Sequence, residues 1–116
     1  MEELHDRLIS DLKLLGVNLD FTLKLRPYSK RCYGRYNPNN NTIFIYVYED
    51  KDCNHMYPYK KLLDTLLHEF THYVQYKDPD FVRYKGVMHD SQFVSLFNYY
   101  KERLYSLLFW RELKAS

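Results

Sequence analysis

One helical pattern constrains the fold of this chain more than any other feature. Between about Tyr59 and Lys77, apolar residues recur at three- and four-residue spacing, as in an amphipathic α-helix that packs one side against a core. The predicted stripe consists of Leu63, Leu66, Leu67, Phe70 and Val74. We therefore predict that this helix lies on the protein core.

Two histidines of this helix lie on the side opposite the stripe. His68 and His72 are four residues apart in the sequence His-Glu-Phe-Thr-His, so both imidazoles can reach one metal ion from the same face. Glu69 follows the first histidine and can hold a water molecule as a general base. The pattern predicts a zinc site for hydrolysis; the alternative is two solvated histidines on an outer face of the helix.

A catalytic zinc needs a third protein ligand and leaves its fourth position for water. His89 is the best candidate, because it directly precedes a second long helical pattern with Asp90 and Ser91 as plausible N-cap residues. Extension of that helix back by one turn places His89 on the side that faces the protein. The apolar stripe of this helix consists of Phe93, Phe97, Tyr100, Leu104 and Leu107.

Other side chains are weaker candidates for metal binding. Glu102 has no companion acidic residue after it on its helix face, and His55 belongs to a loop. Cys32 and Cys53 each lack the neighbouring Cys or His of a structural zinc site. The sequence does not decide whether the two cysteines form a disulfide with each other. Asp64, one turn before the first histidine, either orients a ligand or is an ordinary acidic residue near a helix N-terminus.

The remaining patterns predict an α+β fold with three strands and three helices. A leucine stripe predicts a helix of about Glu2–Leu15 that ends at Gly16. Alternating residues predict strands of about Phe21–Arg26, Cys32–Tyr36 and Thr42–Tyr48. We expect a small three-stranded antiparallel sheet packed with the N-terminal helix, the HExxH helix and a long C-terminal helix, which is a zincin-like arrangement.

Length and composition indicate one soluble domain that spans residues 1–116. The net charge of +2 is too small to indicate nucleic-acid binding. The sequence has no long apolar segment, and its N-terminus is charged. Both features favour a cytoplasmic protein without membrane contact, and the two cysteines fit a reducing compartment. A local basic excess near the first strands, most simply a solvated strand face, comprises Lys24, Arg26, Lys30, Arg31 and Arg35.

The zinc motif and the downstream histidine resemble those of the SprT-like zinc metallopeptidases, the group that includes Spartan and bacterial SprT. The segment Asp64–His72 is similar to the active-site helix of that family. His89–Phe93, with the sequence His-Asp-Ser-Gln-Phe, is similar to its His-Gly-x-x-Phe or His-Gly-x-x-Trp element. Cys32–Tyr36 followed by Thr42–Ile45 is similar to its glycine-containing hairpin, and the resemblance covers about Phe21–Leu104.

The resemblance implies that His68, His72 and His89 bind zinc and that Glu69 is the general base. It also implies a minimal, single-domain member without the zinc ribbon or long tails of larger relatives, so a DNA-linked role is not indicated. Asp90 replaces the usual glycine, which predicts either a different turn after the third ligand or a more distant branch.

We therefore predict a monomeric zinc metalloendopeptidase that acts on protein or peptide substrates. The resemblance suggests that the strand Thr42–Tyr48 aligns an extended substrate by main-chain pairing. The alternatives are a zinc-stabilised binding or regulatory protein that cleaves nothing, a degenerate enzyme, and a latent peptidase that its own terminus inhibits. Glu69 argues against a purely structural site, which has no use for an acidic residue beside a ligand.

Overall fold

Three helices and one small sheet make up the fold of the computed structural model, which describes residues 1–79 and 90–115. The α+β class is confirmed, and each predicted element exists with small shifts of its ends. The helices are α1 (Glu2–Leu12), α2 (Tyr59–Lys77) and α3 (Ser91–Ala115), and the strands are β1 (Thr22–Arg26), β2 (Gly34–Asn37) and β3 (Thr42–Tyr46).

The sheet is mixed, so the prediction of an antiparallel sheet is wrong for one of its two strand pairs. The strand order is β1-β3-β2, in which β3 pairs antiparallel with β2 and parallel with β1. The parallel register runs from Thr22 opposite Thr42 to Arg26 opposite Tyr46. An alternating pattern shows which side chains face the core, but it does not specify the neighbour or the direction of a strand.

Helix α2 occupies the centre of the molecule and has the predicted bounds, Tyr59–Lys77. Its stripe residues Leu63, Leu66, Leu67 and Phe70 are fully buried, whereas Val74 is partly buried. The helix packs against β2, β3 and α3, which position its remaining faces. Burial therefore extends beyond the predicted stripe and includes the polar side chains of Thr65, Glu69, Thr71 and Gln75.

The two other helices close the core around α2. Helix α1 continues into one 3₁₀ turn, Lys13–Leu15, and the chain then turns at Gly16 with a φ of 70°. Such a left-handed residue ends a helix at little cost only when it lacks a Cβ atom, as predicted for this glycine.

In the described residues, no helix is long and apolar enough to cross a membrane.

Asp90 is the N-cap of α3, as the sequence indicated. Its Oδ1 atom accepts a hydrogen bond from the main-chain N–H of Phe93 at 2.9 Å. This bond satisfies one of the N–H groups that lack a partner in the first turn of a helix. The direction in which α3 leaves this cap places Phe93 and Phe97 against α2.

Candidate active site

The two histidines of α2 are close enough to share a metal ion. The ring centroids of His68 and His72 are 5.1 Å apart, with an angle of 74° between the ring planes. Zinc lies about 2 Å from an imidazole nitrogen, so two imidazoles on one tetrahedral zinc have ring centres about 5 Å apart. The observed separation therefore fits shared coordination of zinc.

Helix α3 holds both imidazoles in place through aromatic contacts. Phe93 stacks on His72 with a centroid distance of 4.4 Å and meets the edge of His68 at 4.9 Å. Phe97 contacts His68 at 5.7 Å. The histidines are thus half-buried between two helices and do not lie on a solvated outer face of α2.

Glu69 is the buried carboxyl group beside the histidine pair. Glu69 is only 8% exposed, and this burial raises the pKa of its carboxyl group to about 7. The main-chain N–H of Tyr36 donates a hydrogen bond to this carboxyl group, which lowers the pKa and partly offsets the effect of burial. Oε2 of Glu69 lies 3.9 Å from Nε2 of His68. A pKa near neutrality suits a group that must both accept and release a proton.

An open cleft of about 680 Å³ leads from the surface to these three side chains. One wall is formed by the chain around β2, including Tyr33 and Gly34, and the opposite wall by residues of α2 and α3. His68, Glu69 and His72 all line it. The cleft therefore gives an extended ligand access to the candidate metal site.

Strand β2, rather than β3, is the edge strand that borders the cleft. The suggestion that Thr42–Tyr48 aligns a substrate is wrong, because β3 is the central strand and both of its edges are paired. Tyr46 donates its N–H to the carbonyl of Tyr33 at 3.0 Å, so in the alternating antiparallel pattern Gly34 and Tyr36 direct their main-chain groups away from β3. The hydrogen bond from Tyr36 to Glu69 agrees with this direction.

Gly34 allows β2 to approach α2 closely. A Cβ atom at this position would lie 2.7 Å from Cγ2 of Thr65 and 2.9 Å from the carbonyl oxygen of Phe44. Both distances are below van der Waals contact, so a larger residue would push the strand away from the helix. A lone glycine in a strand pattern signals such an approach, and this is the sequence feature that could have identified β2 as the strand beside the site.

The predicted third ligand, His89, lies outside the described residues. Within residues 1–79 and 90–115, no three His, Cys, Asp or Glu side chains converge in a way that could hold a metal ion. The described part of the chain thus contributes His68 and His72 as a pair.

The weaker ligand candidates lie away from the histidine pair or have other partners. Asp64 accepts a hydrogen bond from the hydroxyl of Tyr105 at 2.6 Å and lies 3.8 Å from the ammonium group of Lys101, so its carboxylate joins α2 to α3 and not to an imidazole. Glu102 and His55 are exposed and do not line the cleft. Both cysteines are free thiols, and only Cys32 lines the cleft.

Sequence patterns alone did not predict four features of the site, which are the main-chain donor of Tyr36, the hydroxyl of Tyr105, and the cleft cations Lys61 and Lys101. No local sequence signal identifies the first two, because both contacts join elements that are far apart in the chain. The cations near the first strands were noticed, but their place beside the histidines depends on the packing of β2 against α2.

The fold is similar to that of Wss1 from Saccharomyces cerevisiae. A crystal structure of Wss1 matches with a TM-score of 0.70 and 18% identity over 90% of this chain and 76% of that chain. A crystal structure of a Wss1 mutant matches with a TM-score of 0.69 and 17% identity over 90% of this chain and 78% of that chain. No protein-family model and no curated protein matches the chain. At this level of identity the similarity is one of fold.

Proposed function

We propose that this chain is a zinc-dependent metalloendopeptidase of the HExxH type. The observation that carries the proposal is the pair of imidazoles 5.1 Å apart, next to a buried glutamate, in the lining of an open cleft. A zinc-activated hydrolase needs these parts together. The similarity to Wss1 suggests a metalloprotease-like fold, which supports the same proposal, and the sequence resemblance to SprT-like metallopeptidases agrees with it.

His68, His72 and His89 are the zinc ligands in this proposal. The support for His89 comes from its neighbours in the sequence: Asp90 caps α3 through the N–H of Phe93, and the ring of Phe93 stacks on His72. The start of α3 is therefore fixed beside the histidine pair.

Glu69 is the general base of the proposed reaction. When bound, zinc polarises the scissile carbonyl group and lowers the pKa of a water molecule toward about 7. Glu69 accepts a proton from the attacking water and passes it to the leaving amine. Its burial and the N–H of Tyr36 fix the carboxyl group in one orientation beside His68.

The free edge of β2 is the proposed docking site for the substrate main chain. The main-chain groups of Gly34 that point away from β3 can pair with an extended peptide, as in strand addition. The peptide would then lie along the cleft above the histidine pair.

Metal content and proteolysis test the proposal directly. We expect about one zinc per wild-type chain, a loss of zinc affinity in His89→Ala, and unchanged zinc in the control His55→Ala, which alters an exposed loop histidine. Glu69→Gln should retain zinc and lose the cleavage of an unfolded protein substrate.

The outcomes separate the proposed function from its alternatives. Retention of zinc in His89→Ala would refute the third ligand. Bound zinc without cleavage by the wild type would favour a binding protein or a latent enzyme, and a wild type that binds no zinc would refute the proposed function.

A further inference from the structure

We propose that the cleft binds extended peptide segments that carry acidic side chains. This inference rests on the proposed function, because it names the substrate class of the same site. It arises from the distribution of charge along the cleft, which no part of the peptidase assignment requires.

Cationic side chains outnumber acidic ones in the lining of the cleft. Of the described residues that line the cleft, only Asp64 and Glu69 are acidic. Glu69 is buried, and Asp64 lies 3.8 Å from Lys101 and accepts a hydrogen bond from the hydroxyl of Tyr105. The cationic lining residues are Arg31, Arg35, Lys61 and Lys101. In the part of the chain that the structure describes, no carboxylate forms an ion pair with Arg31, Arg35 or Lys61. The described lining of the cleft therefore carries positive charge that no described carboxylate neutralises.

Lys61 is the best-positioned of these charges. Its ammonium nitrogen lies 3.9 Å from the ring centroid of Tyr33, and Tyr33 makes an edge contact with Tyr57 at 5.5 Å. A cation–π contact orients an ammonium group without neutralising it, so its remaining N–H donors can bind an anion. Lys61 and Tyr33 belong to opposite walls of the cleft, and the contact holds the charge between them.

The position of Lys61 along α2 places this charge within reach of a bound peptide. Lys61 precedes His68 by seven residues, which corresponds to about 10 Å along a helix. An extended peptide covers this distance in about three residues. A carboxylate two or three residues from the scissile bond would therefore meet Lys61.

The surroundings of the cleft favour a peptide over a nucleic acid as the source of the negative charge. Gly34 offers main-chain groups to a peptide backbone, whereas a phosphate backbone has no N–H groups to pair with them. A nucleic acid would also bring a charge at each nucleotide close to Asp64 and Glu69. A peptide can place its acidic side chains at Lys61 and Arg31 alone.

Binding to the Glu69→Gln protein tests the inference separately from cleavage. The probes are a fluorescein-labelled Gly/Ser/Ala peptide with several Glu residues, its counterpart with Gln at the same positions, and a labelled single-stranded oligonucleotide. Fluorescence anisotropy should show the Glu peptide bound about tenfold more tightly than the Gln peptide, with the difference reduced by added salt.

Lys61→Gln, made in the same background, provides the decisive comparison, because a peptide carboxylate can also bind zinc directly. We expect Lys61→Gln to abolish most of the preference for Glu. Lys60→Gln removes the same charge from the adjacent residue, which is exposed and does not line the cleft, and should preserve the preference. Melting temperature and zinc content report whether each variant is folded.

Two results would overturn the inference. One is equal affinity for the Glu and Gln peptides, or a preference that Lys61→Gln leaves intact; the other is binding of the oligonucleotide without binding of the Glu peptide. Preferential binding of the Glu peptide by a protein whose wild type cleaves nothing would support the acidic-peptide site and refute the peptidase. Cleavage by the wild type without preferential binding of the Glu peptide would support the peptidase and refute the acidic-peptide site.

Discussion

Glu69, the proposed general base, is a buried carboxyl group that must ionise before it can accept a proton. Among the described residues, the N–H of Tyr36 is the donor that compensates for this burial, and burial outweighs it in setting the pKa of Glu69. In the metal-free protein, the ionised form of Glu69 therefore opposes folding. This cost makes the residue a candidate for function, because a buried acid with one donor contributes little to stability by itself.

Glu69→Gln should stabilise the metal-free protein, and the gain should depend on pH. The pKa of Glu69 is about 7 in the folded protein against an ordinary 4.5, so the folded state retains its proton longer than the unfolded state as pH rises. The wild type therefore becomes less stable relative to the variant as the pH rises from 4.5 to about 7. We expect the variant's advantage in free energy of unfolding to grow by about 3 kcal/mol across this window.

Urea denaturation with a chelator present measures this difference at several pH values. Glu102→Gln is the matched control, because Glu102 is exposed on α3 and its removal should give a difference that stays constant with pH. A constant difference for Glu69→Gln as well would contradict the raised pKa.

At the scale of elements, the contact between β2 and α2 depends on the absence of a side chain at Gly34. Gly34→Ala should cost about 2 kcal/mol, because the new methyl group meets Cγ2 of Thr65 and the carbonyl oxygen of Phe44. Thr65→Ser in the same chain removes one of these clashes and should recover part of the loss. Chemical denaturation of the single and double variants gives the coupling between the two sites.

Gly16 provides the comparison for Gly34. Gly16→Ala also destabilises, by about 1 kcal/mol, but through its φ of 70° and not through a clash, since nothing lies within 4 Å of the added Cβ atom. Thr65→Ser should therefore give no recovery in the Gly16→Ala protein. Equal recovery in both would show that the serine acts independently of β2.

The start of α3 depends on the side chain of Asp90. Asp90→Ala should cost about 1 kcal/mol, because the N–H of Phe93 loses its acceptor, whereas Asp90→Gly should cost only a few tenths of a kcal/mol. Thermal denaturation of both variants measures the difference. The smaller cost of glycine explains how a helix cap can replace the glycine of the SprT-like pattern at this position. A larger loss for glycine than for alanine would contradict the cap.

At the scale of the whole molecule, Asp11 joins all three helices. It lies on α1, is 3% exposed, and accepts hydrogen bonds from the hydroxyl of Tyr59 at 2.6 Å and from the guanidinium group of Arg111 at 2.8 Å. Burial, together with the hydrogen bond to Asp11, raises the pKa of Tyr59 above its ordinary range. The network closes the core on the side of α2 where the helix begins.

Arg111→Ala should reduce the free energy of unfolding by about 1–3 kcal/mol, because it leaves a buried carboxylate without its cation while the arginine side chain is half exposed and screened. In an Asp11→Asn protein, Arg111→Ala should cost less stability than it does in the wild type, because no unpaired carboxylate is then left in the core. Arg103→Ala, at an exposed position of α3, should change stability by no more than about 0.5 kcal/mol. A loss at Arg111 no larger than that at Arg103 would show that the pair contributes nothing.

The sequence by itself determined the helices, the histidine pair and the cap of α3. The bounds of α2, the spacing of His68 and His72, and the role of Asp90 depend on residues within a few positions of one another, and helical geometry relates such residues directly. The predicted single domain, monomeric state, cytoplasmic location and role of His89 stay predictions.

Gly34 signals a close approach of the strand that carries it, but only the tertiary structure decided the strand order, which strand edge borders the cleft and which groups surround Glu69. The pairing of β3 with β1 on one side leaves β2 as the edge strand at the cleft, where the N–H of Tyr36 meets Glu69. The packing of α3 on α2 places the hydroxyl of Tyr105 on Asp64. These contacts join residues more than thirty positions apart, so no local periodicity encodes them. They follow from how the elements bury their apolar faces together, which is a property of the whole chain.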